Sequence, residues 1–159
     1  MQGMERTAIF PGSFDPFTVG HKEVVDSAIG LFDRIVVGVG INREKPGFLS
    51  AGSRVRLIRD IYGGNTRVEV RTYEGLTVDF CREAGASFIL RGMRNNTDFE
   101  FERNMAQINR AMHPEITTVL MFTPPQYVAI SSSIIREIYA FGGDVSQFMP
   151  EGVNLAEYL

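Results

Sequence analysis

Little in this chain serves covalent cross-linking or long-range charge. Cys81 is the one cysteine in 159 residues, which excludes an internal disulfide and fits a reducing compartment, the cytoplasm. The net charge of −3 leaves no overall basic field, so the sequence points away from nucleic acid and anionic membrane as partners. Any anionic ligand must then be held by a local cluster of cations. No apolar run reaches the ~18 residues of a membrane span, and the N-terminus lacks the apolar stretch of a signal peptide. Met1-Gln2-Gly3 precedes a second methionine, Met4, and reads as a candidate expression scar. No repeat, low-complexity tract or linker divides the sequence, so residues 1–159 are expected to form a single domain.

What is present is an alternation. Hydrophobic residues make up 44% of the chain and charged residues 22%, enough to bury a core without staples. A short apolar strand ends at Ala8-Ile9-Phe10. From His21 to Phe32 the apolar positions Val24, Val25, Ala28, Leu31 and Phe32 make a helical stripe. RIVVGVGI (34–41) is apolar almost throughout, as a strand buried on both faces should be. Ser50 can cap a helix carrying Val55, Leu57, Ile58 and Ile61, and RVEVRTY (67–73) alternates as a strand. A helix follows over about 76–84, with Gly85 as its C-terminal cap. ASFILR (86–91) reads as a buried strand, 98–112 as a longer helix and EITTVLMF (115–122) as a strand. Ser131 or Ser132 opens a helix stopped by Gly142-Gly143, and a short helix is expected after Pro150. Five such alternations with crossover-length connections imply an α/β fold, a parallel sheet with helices on both faces.

Ligands of such sheets bind beyond the carboxyl ends of the strands. The loops 11–20, 41–49, 71–76, 91–97 and 123–131 are therefore the informative ones, and most of the unusual residues lie in them. Gly38-Val39-Gly40 is not a dinucleotide fingerprint: its third glycine position holds Arg43, and the glycines sit inside the second strand. In the first loop, Gly12 permits close backbone approach, Ser13 supplies a hydroxyl, and Thr18-Val19-Gly20-His21 puts an imidazole at a helix mouth that attracts phosphate. The plainer alternative makes Thr18 a cap and His21 incidental. NREKPGF carries Lys45 just past a strand end. Arg91 and Arg94 flank Gly92 where a buried strand ends, a pair suited to bidentate phosphate binding. For Asp98 and Glu100 the favoured role is helix-dipole and charge-pair stabilisation. Ser131, Ser132 and Ser133 together exceed what one cap requires and point to phosphate.

T-x-G-H after the first strand and I-S-S-S-x-x-R late in the chain resemble the nucleotidylyltransferase superfamily. AIFPGSFDPFTVGH, the lysine loop, ILRGMRNNTDFEFE, the NR at 109–110, ISSS and GGDVSQFMPEGV together are similar to the bacterial phosphopantetheine adenylyltransferase family, over about residues 7–153. One departure is the lysine loop, which often reads Lys-Lys in the family and here is Glu44-Lys45, slightly shortened. The role goes to Lys45.

The resemblance implies a Rossmann-like five-stranded sheet and transfer of the adenylyl group of ATP to 4′-phosphopantetheine, with release of pyrophosphate. By the same resemblance, His21 stabilises the transition state at the α-phosphate. Ser13, Lys45 and Arg91 hold the acceptor phosphate, and Leu76 and Thr77 meet the pantetheine arm. Ser13, Phe14, His21, Gly92, Met93, Arg94, Glu102, Tyr127, Val128, Ala129, Ile130, Ser131, Ser132 and Ser133 line the ATP site. Mg²⁺ accompanies ATP and needs no all-protein cage, and the family's homohexamer, a dimer of trimers, is the implied assembly. The chemistry is consistent with these residues. A phosphate monoester with a second pKa of about 6 is already largely dianionic near neutrality, so cations and N–H donors matter more than a general base. Two alternatives stay open. One is a sister enzyme acting on nicotinamide mononucleotide or glycerol phosphate. The other is a nucleotide-binding module without turnover.

Overall fold

The alternation folds as a parallel sheet. In the computed structural model, which describes residues 3–159, the strands are β1 (Thr7–Gly12), β2 (Arg34–Gly40), β3 (Val68–Tyr73), β4 (Phe88–Met93) and β5 (Thr117–Phe122). Met1 and Gln2 of the candidate expression scar lie outside the described residues. The strand order is β3-β2-β1-β4-β5, and every neighbouring pair is parallel. The chain therefore builds outward from β1 through β2 to β3, then crosses back and builds the other way through β4 and β5. The reversal puts the topological switch between β1 and β4.

The ladder shows what that switch does. β1 pairs with β2 along its whole length, from Thr7 opposite Arg34 to Gly12 opposite Val39. With β4 it pairs only at Ala8–Phe88 and Ile9–Ile89. Beyond those residues the two strands part, and the gap between their carboxyl ends is where a ligand can enter.

The helices are α1 (Val19–Ala28), α2 (Ala51–Tyr62), α3 (Thr77–Glu83), α4 (Asn96–Met112) and α5 (Ser132–Ala140). Strand alternation assigns the two faces. Ala8, Phe10, Ile35, Val37, Val39 and Leu90 pack with α1, α2 and Ile135 of α5 in one core. Ile9, Val36 and Ile89 pack with Val78, Phe80 and Cys81 of α3 in the other. Ser50 caps α2 by accepting from the Ser53 N–H, and Ser131 caps α5 by accepting from the Ile134 N–H. Gly85 and Gly142, at φ 68° and 77°, close α3 and α5. No helix among the described residues is long and apolar enough to cross a membrane.

Several elements differ from the sequence reading. α1 begins at Val19, because Thr18 is its N-cap, and ends at Ala28. Leu31 and Phe32 belong to the turn into β2, where Asp33 binds the Arg6 backbone both through its carboxylate and through its own N–H. β4 runs on through Met93, so Arg91 is a strand residue and not the first of a loop. The element after Pro150 is a 3₁₀ turn, Leu155–Tyr158. Tyr158 ties it to α2 by donating to Asp60 at 2.7 Å.

The misplaced glycine pair also has an explanation. A Cβ on Gly38 would stand 2.6 Å from Cε1 of Phe80, which stacks on Tyr73 with ring centroids 4.5 Å apart. Gly38 therefore admits an aromatic side chain of α3 onto the sheet. We expect Gly38→Ala to lower unfolding stability by about 1–3 kcal/mol, the usual range for overpacking. Urea unfolding checks this; an unchanged midpoint would show that the Phe80 ring yields freely.

Candidate active site

A cleft of about 310 Å³ opens between the parted ends of β1 and β4. Its walls bring together Ser13 and Phe14 after β1, His21 on α1, Arg91 and Gly92 on β4, and Arg94 just beyond. Glu102 of α4 and Tyr127, Ile130, Ser131 and Ser132 near the start of α5 complete it. Residues from four separate loops and helices thus converge at the switch point.

His21 is held by the helix it opens. Its backbone N–H donates to Thr18 Oγ1 at 3.3 Å, and its Nδ1 accepts the Thr18 N–H at 2.9 Å. This is a capping box in which an imidazole takes the place usually filled by Glu or Gln. The cap and the functional histidine, alternatives in the sequence, are one device. An acceptor at Nδ1 fixes the neutral tautomer, so the ring's proton sits on Nε2 as a donor. The ring lies against Phe14, at a centroid distance of 5.0 Å, and Phe17, at 5.4 Å. Burial against these rings lowers its pKa from 6.5 to about 3, with the Arg94 and Arg91 charges adding in the same direction. The cleft therefore contains a neutral N–H donor beside two guanidinium groups.

The loop between β1 and α1 is fixed from several directions. Phe14 adopts φ 50° and is buried, its ring filling the space above Gly12, where a Cβ would stand 2.9 Å from it. The Asp15 carboxylate accepts the Phe48 and Leu49 N–H groups, both at 2.7 Å. Arg54 donates to Ser13 O and Arg136 to Asp15 O, at 2.7 and 2.8 Å. The Ser132 hydroxyl donates to Pro16 O at 2.8 Å.

Arg91 makes a bidentate pair with Glu102, at 2.9 and 2.7 Å, and donates to Pro11 O at 2.8 Å. Glu102 is the buried residue of α4, and this pair is its reason for being inside. The contact to Pro11 spans the gap where β1 and β4 no longer pair. Arg94 pairs with Asp98 at 3.1 Å and reaches Ile130 O at 3.2 Å, linking β4 to the segment before α5. Asp98 is thus a charge partner, as its sequence position suggests, and it also lines the cleft.

The other sequence-selected residues lie outside this cleft. Lys45 stands on an exposed turn closed by its own N–H to Asn42 O. Leu76 is exposed and precedes α3. Thr77 shares a hydrogen bond with Tyr73 and lines an adjoining groove with Ser13, Asn42 and Arg91. Met93, Val128 and Ala129 flank lining residues without lining the cleft themselves. The Ser133 hydroxyl accepts from Arg136 at 3.2 Å. Each of the three serines therefore already has a partner within the fold, and what α5 adds toward the cleft is its unpaired first-turn N–H groups. The sequence reading did not select Thr123, which lines the cleft, or Arg54, which helps to hold it, and it quoted Asp15 and Arg136 within motifs without giving either a role. The holding roles of Asp15, Arg54 and Arg136 are not legible locally, since their partners are 34, 41 and 121 residues away.

The cytidylyltransferase-like family model matches residues 9–138. The phosphopantetheine adenylyltransferase of Bacteroides thetaiotaomicron is 45% identical over 94% of this chain and 99% of its own. That of Phocaeicola vulgatus is 46% identical with the same coverage. Among solved structures, a putative nicotinate-nucleotide adenylyltransferase from Vibrio parahaemolyticus superposes with a TM-score of 0.74 at 21% identity, covering 98% of this chain and 92% of its own. This last likeness bears on the fold.

The capping geometry makes a direct prediction. In the free protein His21 stays neutral, as the Nε2–H tautomer, between about pH 5 and 8. Long-range ¹⁵N–¹H spectra of the imidazole will show one protonated and one unprotonated nitrogen throughout. A titration midpoint near 6.5, the ordinary value, would overturn the assignment.

Proposed function

The chain belongs to the cytidylyltransferase-like family and, within it, to the phosphopantetheine adenylyltransferases, and on that premise we propose how its residues transfer the adenylyl group of ATP to 4′-phosphopantetheine. The products are dephospho-coenzyme A and pyrophosphate, a step of coenzyme A biosynthesis. The observation that carries the residue assignment is the locked imidazole: a neutral Nε2–H donor in a cleft flanked by Arg91 and Arg94.

The acceptor's phosphate oxygen attacks the α-phosphorus of ATP, the bond from that phosphorus to the β-phosphate oxygen breaks, and pyrophosphate leaves. The nucleophile is already anionic, so the work of the site is to bring anions together and to stabilise charge as it moves. His21 donates to the α-phosphate. Ser13, Lys45 and Arg91 receive the acceptor phosphate, Lys45 from the exposed turn beside the groove. Leu76 and Thr77 border the path of the pantetheine arm. Phe14, Gly92, Met93, Arg94 and the stretch Tyr127–Ser133 surround ATP, with the free N–H groups of Ser132 and Ser133 toward its outer phosphates. Glu102, at the edge of the ATP site, orients Arg91 toward the acceptor phosphate. Mg²⁺ arrives with ATP as part of the substrate; the cleft carboxylates Asp98 and Glu102 are already committed to arginines.

The same reading makes residues 1–159 one nucleotidylyltransferase domain working in the cytoplasm as a homohexamer, a dimer of trimers. Supporting the assembly, Phe101, Met105, Ile108 and Met112 form an exposed apolar stripe at helical spacing on α4. Light scattering at working concentration is expected to give the hexamer's mass; a stable monomer would overturn that part.

Pyrophosphate release from ATP, measured in parallel with 4′-phosphopantetheine, nicotinamide mononucleotide and glycerol phosphate, tests the acceptor; turnover only with either of the latter two would overturn the assignment. His21→Ala is expected to fold, to bind both substrates within about tenfold and to lose at least about a hundredfold in kcat, the scale of a lost transition-state donor. Single-turnover kinetics with a circular-dichroism check of folding decides it, and near-wild-type kcat would sink the role.

A further inference from the structure

Arg54 occupies a place that packing alone does not favour. It lies in the opening turns of α2 and is only 7% exposed. It forms no ion pair among the described residues, and its Nε is buried without a partner. A buried cation without a contact ion pair is costly, and near the positive end of a helix dipole it is more so. What the side chain does make is a bridge. Nη1 donates to Ser13 O at 2.7 Å and to Gly40 O at 3.2 Å, the carbonyls at the exits of β1 and β2.

Asp15 completes the arrangement from the other side. Its carboxylate takes the Phe48 and Leu49 N–H groups, at the far end of the segment that Gly40 begins. The Lys45 turn is thus tied at both ends to the loop that leads to His21, and residues 42–47 between the ties are exposed. Gly47 sits where the ties meet: a Cβ there would stand 2.7 Å from Leu49 O, 2.9 Å from Asp15 Oδ2 and 3.5 Å from Arg54 Nη2.

We propose that Arg54 is a positioning residue of the transfer reaction, setting with Asp15 the spacing between the loop that carries Ser13 and His21 and the turn that carries Lys45. The role rests on the adenylyl-transfer reading given above. Its main effect falls on the acceptor phosphate, which Ser13 and Lys45 receive, because none of its own contacts reaches Arg94, Tyr127 or α5. Its buried charge lies below the groove shared by Ser13, Asn42 and Arg91 and adds to the field that draws an anion there.

The test compares wild type, Arg54→Met and Gly47→Ala in steady-state kinetics with 4′-phosphopantetheine, alongside ATP binding by calorimetry. Arg54→Met removes both donors and the charge. Gly47→Ala leaves them in place, changes an exposed residue and displaces the tie by pressing on the Leu49 carbonyl and the Asp15 carboxylate. Both are expected to lower kcat/KM for the acceptor by at least about tenfold, within what a sub-ångström misplacement costs. ATP affinity should change by less than about twofold, since the Arg94, Tyr127 and α5 side of the ATP site is untouched. Should Arg54→Met fail to fold, Gly47→Ala decides alone. Equal losses for ATP and acceptor, or an unchanged acceptor kcat/KM in Gly47→Ala, would overturn the positioning role while leaving the enzyme's activity intact. A wild-type protein that releases no pyrophosphate with this acceptor would overturn the reading beneath it, and the role with it.

Discussion

The placement of one short backbone segment, Ser13 to Thr18, governs the rest of the site. It leaves β1 at the switch point, with β4 already diverging, so the sheet offers it no ladder partner on that side. Its polar backbone groups must be satisfied elsewhere. They are met by Arg54 from α2, by Arg136 and Ser132 from α5, and by the His21 ring that receives the Thr18 N–H. Each partner arrives from a different part of the chain, so the loop becomes fixed only when α1, α2 and α5 are all docked on the same face of the sheet. The left-handed Phe14 is tolerated in that setting because its ring is enclosed by Phe10 and Phe17.

The electrostatics follow from the same scaffold. The chain is acidic overall, yet the cleft concentrates Arg91 and Arg94 beside a neutral imidazole. Glu102 and Asp98 moderate both charges without removing them. Arg91 commits three of its N–H groups to Glu102 and Pro11 and keeps others for a ligand. Pre-positioned guanidinium groups of this kind suit a reaction whose charge moves but whose atoms travel little. A protonated histidine would only add to their mutual repulsion. Burial and the capping hydrogen bond keep the proton off Nδ1, so His21 contributes direction where the arginines contribute charge.

The fold was largely legible in the sequence because its signals are local. Doubly buried strands read as unbroken apolar runs, Ser50 and Ser131 precede their helices, and Gly85 and Gly142 close theirs. The ends that were misread are set by distant contacts. α1 gives up Leu31 and Phe32 because the Arg6–Asp33 contacts start β2, and β4 continues past Arg91 because β5 pairs with it through Phe122. At the site, the TxGH stretch and the Arg91–Arg94 pair declared themselves by being richer than a connection requires. The supporting residues did not. An arginine at position 54, beside Val55 in an amphipathic helix, looks like any solvated helix charge until the fold buries it.

The serine run shows how far such excess can be trusted. Three adjacent hydroxyls at a helix mouth suggest phosphate, yet in the folded chain Ser131 caps α5, Ser132 holds Pro16, and Ser133 meets Arg136. The two demands are not in competition. Once Ser131 and the Pro16 carbonyl fix the start of α5 against the first loop, the first-turn N–H groups are left unpaired beside the cleft, and backbone donors can meet an anion with no hydroxyl at all. The hydroxyls locate the helix end and leave its first amides unpaired.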